Sequence, residues 1–406
     1  MNIIIISLIL CLLNCSYTLS APSTTLFPKR DTFNPTSAFN SAINATWSVF
    51  WNDQYQAFSE NDPACSMTST NNFTYTSVWN LAVAGKVIVE SGDIFKTINV
   101  INNLYQYQNS QGWFATVPNS SESFVDDNCQ VLWVFIEAYK LTSNAKYLST
   151  ANQLMQLIQQ QWSNIGGVIW KVDSNYIASI STVEAALSAV KIYQYNQDDT
   201  LLTFANSCLG WLDEHLTDPA DGFYYDGIDK NTWQVNKGKL TYTIGVAMST
   251  YSYLYKYTND LHYVLYAVKK AYGTLNSNVF LRSNGYWNND LKYIHLLFAG
   301  FADVITMCGQ KGYIANVVKQ GEFIYNYDQL PNSLGSYLDF TNSQPLYNRY
   351  VQSTGDSSIT MGSSGGASGG ASGGASENGY CGNQPKRSLL DNASAAQIFY
   401  QISRFY

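Results

Sequence analysis

Histidine is nearly absent from this 406-residue chain, which has three, His215, His262 and His295. With no His/Cys cluster at ligand spacing, no transition-metal site is expected and no cofactor is called for. Clustered positive charge is missing as well. Lys and Arg total 22 against 29 Asp and Glu, a formal charge of −7, so nucleic acid and anionic membranes are poor partners. Beyond the first residues no stretch approaches the ~20 apolar residues of a membrane span. Nor is there a long run of alternating β-branched residues, apart from short pieces such as Gly167-Val168-Ile169-Trp170 and Gly222-Phe223-Tyr224-Tyr225.

The N-terminus reads as a secretory signal over residues 1–20: an apolar run from Ile3 to Leu13, then small and polar residues through Ser20-Ala21. An uncleaved anchor is the minor alternative. The mature chain, residues 21–406, is expected to be soluble and outside the cytosol. Four acceptor sequons agree with that placement, at Asn44, Asn72, Asn119 and Asn392.

Helical periodicity recurs along the mature chain and predicts twelve helices, near 38–52, 76–90, 93–107, 127–142, 146–161, 180–195, 199–215, 241–257, 261–276, 293–308, 312–326 and 390–404. A weak repeat supports pairing. Tyr139, Tyr193 and Tyr255 each stand twelve residues before an alanine, Ala151, Ala205 and Ala267, with a short polar turn in each interval. Short turns join antiparallel neighbours and alternate with long connections. Every long connection then falls at one end. Six inner and six outer helices can close as an all-α, (α/α)6 barrel in a single domain, the inner set being those that follow the long loops. Residues 362–376, rich in Gly, Ser and Ala, read as a flexible insertion in the last loop.

Five cysteines follow the signal. Cys129, Cys208 and Cys308 fall in predicted helices and read as buried small hydrophobes. Cys65 and Cys381 lie in the loops before the second and twelfth helices, neighbours in a closed ring, and are expected to form a disulfide.

Chemistry concentrates in the long loops. Asp126 and Asp127 stand where a polar loop meets an apolar helix. Two carboxylates are the minimum for cutting a glycosidic bond, one ionised to attack the anomeric carbon and one protonated to assist departure. Consecutive side chains could place the carboxyls ~5–6 Å apart, a spacing that favours retention. The plainer reading is that they only cap the helix. Asp226 and Asp229 are candidates for sugar hydroxyls, or simply fix a glycine-containing turn. Trp170, Tyr225 and Trp287 are candidate stacking platforms, although core packing is the commoner fate of any one ring. Glu137 and Glu184 lie on helices at positions open to solvation and receive no role.

Phe124-Val125-Asp126-Asp127-Asn128, Gly166-Gly167-Val168-Ile169-Trp170, Tyr225-Asp226-Gly227-Ile228-Asp229 and Thr241-Tyr242 resemble, in order, the motifs of glycoside hydrolase family 76. The likeness covers roughly residues 38–326. It implies an (α/α)6 barrel and a retaining endo-α-1,6-mannanase acting on α-mannan poly- or oligosaccharide; a monomer is expected. It also implies Asp126 as nucleophile, Asp127 as general acid/base, and Tyr242 in the sugar-binding shell. The chain departs from the family at Cys129–Trp133, where paired tryptophans are usual, at Ile177-Ala178 in place of Lys-Asn, and at Thr243-Ile244 in place of two amide side chains. The alternatives are another polysaccharide hydrolase, or a mannan-binding or wall-associated protein on the same barrel that does not turn over.

Overall fold

A computed structural model describes residues 32–60, 62, 65, 73–331, 333–362, 380–381 and 384–406. The signal segment, the sequon at Asn72 and positions 363–376 of the Gly/Ser/Ala-rich stretch lie outside them. Among the described residues there are thirteen α-helices: α1 Pro35–Phe50, α2 Val78–Glu90, α3 Ile94–Tyr105, α4 Val125–Thr142, α5 Ala145–Gln159, α6 Ser179–Asn196, α7 Asp199–His215, α8 Thr241–Thr258, α9 Leu261–Asn276, α10 Leu291–Thr306, α11 Ile314–Tyr327, α12 Gln344–Thr354 and α13 Leu389–Ser403. None of them is long and apolar enough to cross a membrane.

Burial separates two classes. α6 buries residues on every side, from Ile180 and Val183 to Ala185, Ala186, Leu187 and Ala189, whereas α9 buries one stripe, Ala267, Lys270, Ala271 and Thr274. A helix apolar all round belongs inside, and one with a single stripe belongs outside. Contacts close the inner set into a ring, α2–α4–α6–α8–α10–α13–α2, and α1, α3, α5, α7, α9 and α11 cover it. The (α/α)6 architecture follows. The tightest step of the ring is between α8 and α10, where two glycines face each other. A Cβ on Gly245 would stand 2.3 Å from the Leu296 carbonyl oxygen, and one on Gly300 2.3 Å from that of Gly245.

The tyrosine–alanine repeat has a local cause. Ser143, Gln197 and Asn259 end α4, α6 and α8 in the left-handed conformation, and their amides donate to the carbonyls of Tyr139, Tyr193 and Tyr255. Asn144, Asp198 and Asp260 then cap the next helices. Ala151, Ala205 and Ala267 are fully buried where each outer helix meets its inner partner.

Loops are stitched to the inner helices by backbone. The first-turn amides of α2, α4 and α6 donate to Thr116 O, Trp170 O and Asp226 O, each at 2.8 Å and each on the long loop that opens the next inner helix. The first amide of α10 donates to Asp339 Oδ2 at 2.8 Å. A second device recurs at the fourth helical residue. Asn128, Thr182 and Asn392 accept the amides of Phe114, Val168 and Tyr337.

Four sequence expectations change. α12 lies in a stretch read as loop; Pro345 in its first turn, buried Leu346 and Tyr350, and Gly355 at its end account for it. Asn392 is 2 % exposed and its amide also donates to Ala42 O and Thr46 Oγ1, so it is a structural group with no room for a glycan. Asn44 and Asn119 are exposed. Cys308 falls just past α10 and is half-buried, while Cys129 and Cys208 are buried, and all three are free thiols. The fourth change is sheet: β1 Trp51–Asn52 pairs with β2 Ala57–Phe58, β3 Tyr176–Ala178, β4 Gly227–Asp229 and β5 Val235–Asn236 form a small antiparallel sheet among the loops, and β6 Tyr380–Cys381 pairs with β7 Gln384–Pro385, alongside isolated bridges. Cys65 is disulfide-bonded; the side chain of Cys381, its expected partner, lies outside the described set. The loops that carry both positions are joined independently, by Arg387 paired through two nitrogens to the buried carboxylate of Asp62 at 2.5 and 2.9 Å.

Candidate functional site

Asp126 and Asp127 occupy the second and third positions of α4, after Phe124, which offers no side-chain cap. Neither aspartate caps the helix. Asp126 instead accepts two donors, the indole Nε1 of Trp170 on Oδ2 at 3.0 Å and the amide of Asp127 on Oδ1 at 3.1 Å. Burial pushes Asp126 up to about 6, against the pull of those donors and with a push from the charge of Asp226. Asp127 is held well above the ordinary carboxylate range, by burial first and then by the charge of Asp126. The two neighbours are thus separated in acidity, with Asp126 ionising first.

The Gly166-Gly167 turn delivers Trp170 to this point. Both glycines have positive φ, +84° and +72°, and a Cβ on either would run into the Trp211 ring. Trp211 Nε1 donates to Ile165 O at 2.8 Å. Phe124 packs against Trp170, with ring centroids 4.8 Å apart.

The small sheet supplies another wall. Asp226, immediately before β4, accepts from Tyr176 OH of β3 at 2.5 Å and from Asn236 Nδ2 of β5 at 2.8 Å. It is 8 % exposed, and burial raises it. Tyr242, in the first turn of α8, feels the charges of both Asp226 and Asp126. Its ring stands 5.9 Å from that of Tyr293 on α10, which stacks at 5.7 Å on Trp79 of α2. Asp126, Asp127, Trp170, Asp226 and Tyr242 therefore come together, drawn from four different loops and helix starts.

Three expected residues do other work. Asp229 accepts the amides of Asn231 and Thr232 and fixes the β4–β5 hairpin, the turn role that competed with sugar binding. Trp287 is 3 % exposed, donates to Thr274 O and packs on Phe298 and Phe301; it is core. Tyr225 turns its ring toward Lys239 and Lys237, 5.6 and 6.0 Å from its centroid. Conversely, Tyr176, Asn236, Tyr293, Gln130 and Glu184 went unassigned in the sequence. Gln130 was findable, since it follows Asp126 by four residues on the same helical face. A lone acid in the Ala/Ser/Val-rich α6 was the signal at Glu184. Among the described residues no set of three or more His, Cys, Asp or Glu is arranged to hold a metal ion.

The sequence matches Glycosyl hydrolase family 76 over residues 36–311. It is 26 % identical over 243 residues to the Meiotically up-regulated gene 191 protein of Schizosaccharomyces pombe, covering 53 % of this chain and 54 % of that one. It is 24 % identical over 209 residues to the putative mannan endo-1,6-alpha-mannosidase C1198.07c of the same organism, covering 46 % and 47 %. The matched region thus spans about half the length of these curated relatives. Among solved structures, a GH76 alpha-mannanase of Bacteroides thetaiotaomicron superposes with a TM-score of 0.71 at 17 % identity, covering 92 % of this chain and 96 % of that one. An α-1,6-mannanase of Salegentibacter sp. superposes at 0.68 and 17 % identity, covering 91 % and 99 %; that structure is an inactive variant, with two consecutive aspartates changed to asparagine, in complex with α-1,6-mannotriose.

Proposed function

Because the chain belongs to glycosyl hydrolase family 76, we propose that it is a secreted glycosidase that cleaves α-1,6-linked mannan with retention of configuration. The observation that carries this reading is the adjacent, half-buried pair Asp126 and Asp127, separated in acidity at the mouth of the barrel. The inactive double-aspartate variant of the Salegentibacter enzyme supports placing the chemistry on such a pair.

In the proposed first step Asp126, ionised, attacks the anomeric carbon. An ester bond forms, the glycosidic C–O bond breaks, and Asp127 gives its proton to the departing oxygen. In the second step Asp127, now a carboxylate, takes a proton from water; the water oxygen attacks the anomeric carbon and Asp126 leaves as carboxylate. The dyad carries one negative charge throughout, which suits a half-buried site with no cation among the described residues acting on either carboxyl. The Trp170 indole and the Asp127 amide hold that charge on Asp126 while it rests there. Asp226 and Tyr242 are assigned to sugar hydroxyls. The disulfide at Cys65 supports an oxidising compartment and hence secretion.

The test is incubation of the purified protein with α-1,6-mannan, following reducing ends and the product anomer by NMR. Cleavage with retained anomer is expected, reduced at least 1000-fold in Asp126→Asn. An inverted product removes Asp126 as nucleophile, and tight binding without cleavage replaces the hydrolase with a mannan-binding protein.

A further inference from the structure

One helical turn beneath the aspartate pair lies a second pair of side chains. Gln130 follows Asp126 and Asp127 by four and three residues and so shares their face of α4; it is 8 % exposed. Its Nε2 donates to Oε1 of Glu184, in the second turn of α6, at 3.0 Å. Glu184 is 0 % exposed, and its Oε2 is buried with no hydrogen-bond partner. A carboxylate enclosed in this way would hold an unpaired charge. The groups around it offer no relief. The titratable neighbours are Asp126, Asp127 and Cys129 on α4 and Tyr242 on α8. β3 brings Tyr176, already donated to Asp226, α7 brings the buried Cys208, and the buried face of α5 brings Tyr147 at the end remote from the site. Burial and then the charges of Asp126 and Asp127 push Glu184 well above its ordinary value, and no cation acts in the other direction. Glu184 therefore carries its proton, with Oε1 as the carbonyl oxygen that accepts from Gln130 and Oε2 as the hydroxyl.

We propose that Glu184 is a positioning residue of the site: as a neutral acid it fixes Gln130 under the aspartates, and it shares with Asp127 the loss of the site's second proton. The inference rests on the hydrolase reading for its consequence in turnover, but not for its titration. Once Asp126 is ionised, a further deprotonation must place two negative charges in one buried space. That proton can leave Asp127 or Glu184. In every molecule where Glu184 gives it up, Asp127 is held protonated more firmly, and the proposed acid stays in its working form to higher pH than it would alone.

The discriminating variant is Glu184→Gln, which preserves shape and can still accept from Gln130 but cannot ionise. Expected is a kcat within fivefold of wild type at the pH optimum, with the alkaline limb moved down by at least half a pH unit. A superimposable pH profile overturns the proposal. Glu184→Leu also removes the acceptor for Gln130; a tenfold or larger fall in kcat with a smaller change in KM is expected, and a wild-type kcat would overturn the positioning role. Carboxyl 13C NMR of the folded protein reads the coupling without substrate. Asp127 should titrate in two linked steps in wild type and in one step in Glu184→Gln, and an identical single step in both proteins overturns the shared proton. A wild type that cleaves no mannan defeats the hydrolase reading alone, and the NMR result then decides this one.

Discussion

The indole N–H of Trp170, 3.0 Å from Asp126 Oδ2, stabilises the ionised form of that carboxyl and so opposes the burial that raises it. Its removal has a definite sign. Trp170→Phe keeps an aromatic ring beside Phe124 and deletes the donor, so Asp126 should rise above about 6. The acid limb of kcat/KM should move up by roughly one pH unit, and activity at pH 5 should fall about tenfold; an unmoved limb would show that the indole does not hold the charge. At this scale the sequence disclosed the adjacent acids, because two carboxylates at a loop–helix junction are visible without coordinates. It could not disclose Asp226's partners. Tyr176 and Asn236 lie 50 and 10 residues away along the chain, and only the small sheet joins them. Trp287 misled for the opposite reason. A Gly-Tyr-Trp-Asn loop has the composition of a sugar site, but Phe298 and Phe301 of α10 absorb the ring.

Among the elements, α8 and α10 pack most intimately, and they do so because Gly245 and Gly300 present backbone to backbone. A methyl group at Gly245 would meet the Leu296 carbonyl oxygen at 2.3 Å and Leu297 Cα at 2.5 Å, atoms that cannot swing aside. Gly245→Ala should cost about 1–3 kcal/mol or more as an overpacked contact, against a stabilisation of up to ~1 kcal/mol expected for Gly to Ala in an unhindered helix. Urea unfolding decides between the two signs. Helix periodicity and the twelve-residue tyrosine–alanine interval revealed the helix pairs, since both record local chemistry: a left-handed end, an Asn or Asp cap, and a small residue where helices touch. The strands stayed hidden because they are two or three residues long and are held by partners from other loops. α12 stayed hidden because its apolar contacts reduce to Leu346 and Tyr350.

The whole molecule concentrates buried and half-buried acids. Asp126, Asp127, Glu184, Asp328, Asp391 and Glu90 are all raised, each chiefly by burial. A folded carboxyl that binds its proton more tightly than the unfolded chain stabilises the fold at low pH, and that contribution disappears as pH rises through the folded value. Stability should therefore decline from about pH 5 to pH 8. Asp391, raised to about 7, loses on the order of 3 kcal/mol of its contribution over that window, from about 1.4 kcal/mol per unit between pH 5 and its folded value. The melting temperature of Asp391→Asn should fall less steeply between pH 5 and pH 8 than that of wild type, and parallel slopes would contradict this. Below pH 4 the trend reverses, as Asp93 and Asp260, lowered chiefly by the helix-start amides they accept, and Asp198, lowered first by the Thr200 hydroxyl and then by the Thr200 amide, become protonated. Ring closure was legible from counting helices and long loops, while the depth of these acids was not, because burial depends on which faces the ring turns inward. The stitching of α2, α4 and α6 to their neighbouring loops has one more consequence. The acceptors are main-chain carbonyls, which every amino acid supplies alike. Side chains on the rim can therefore be exchanged freely over evolutionary time while the rim keeps its shape, and a lineage can retune what it grips without rebuilding the vessel.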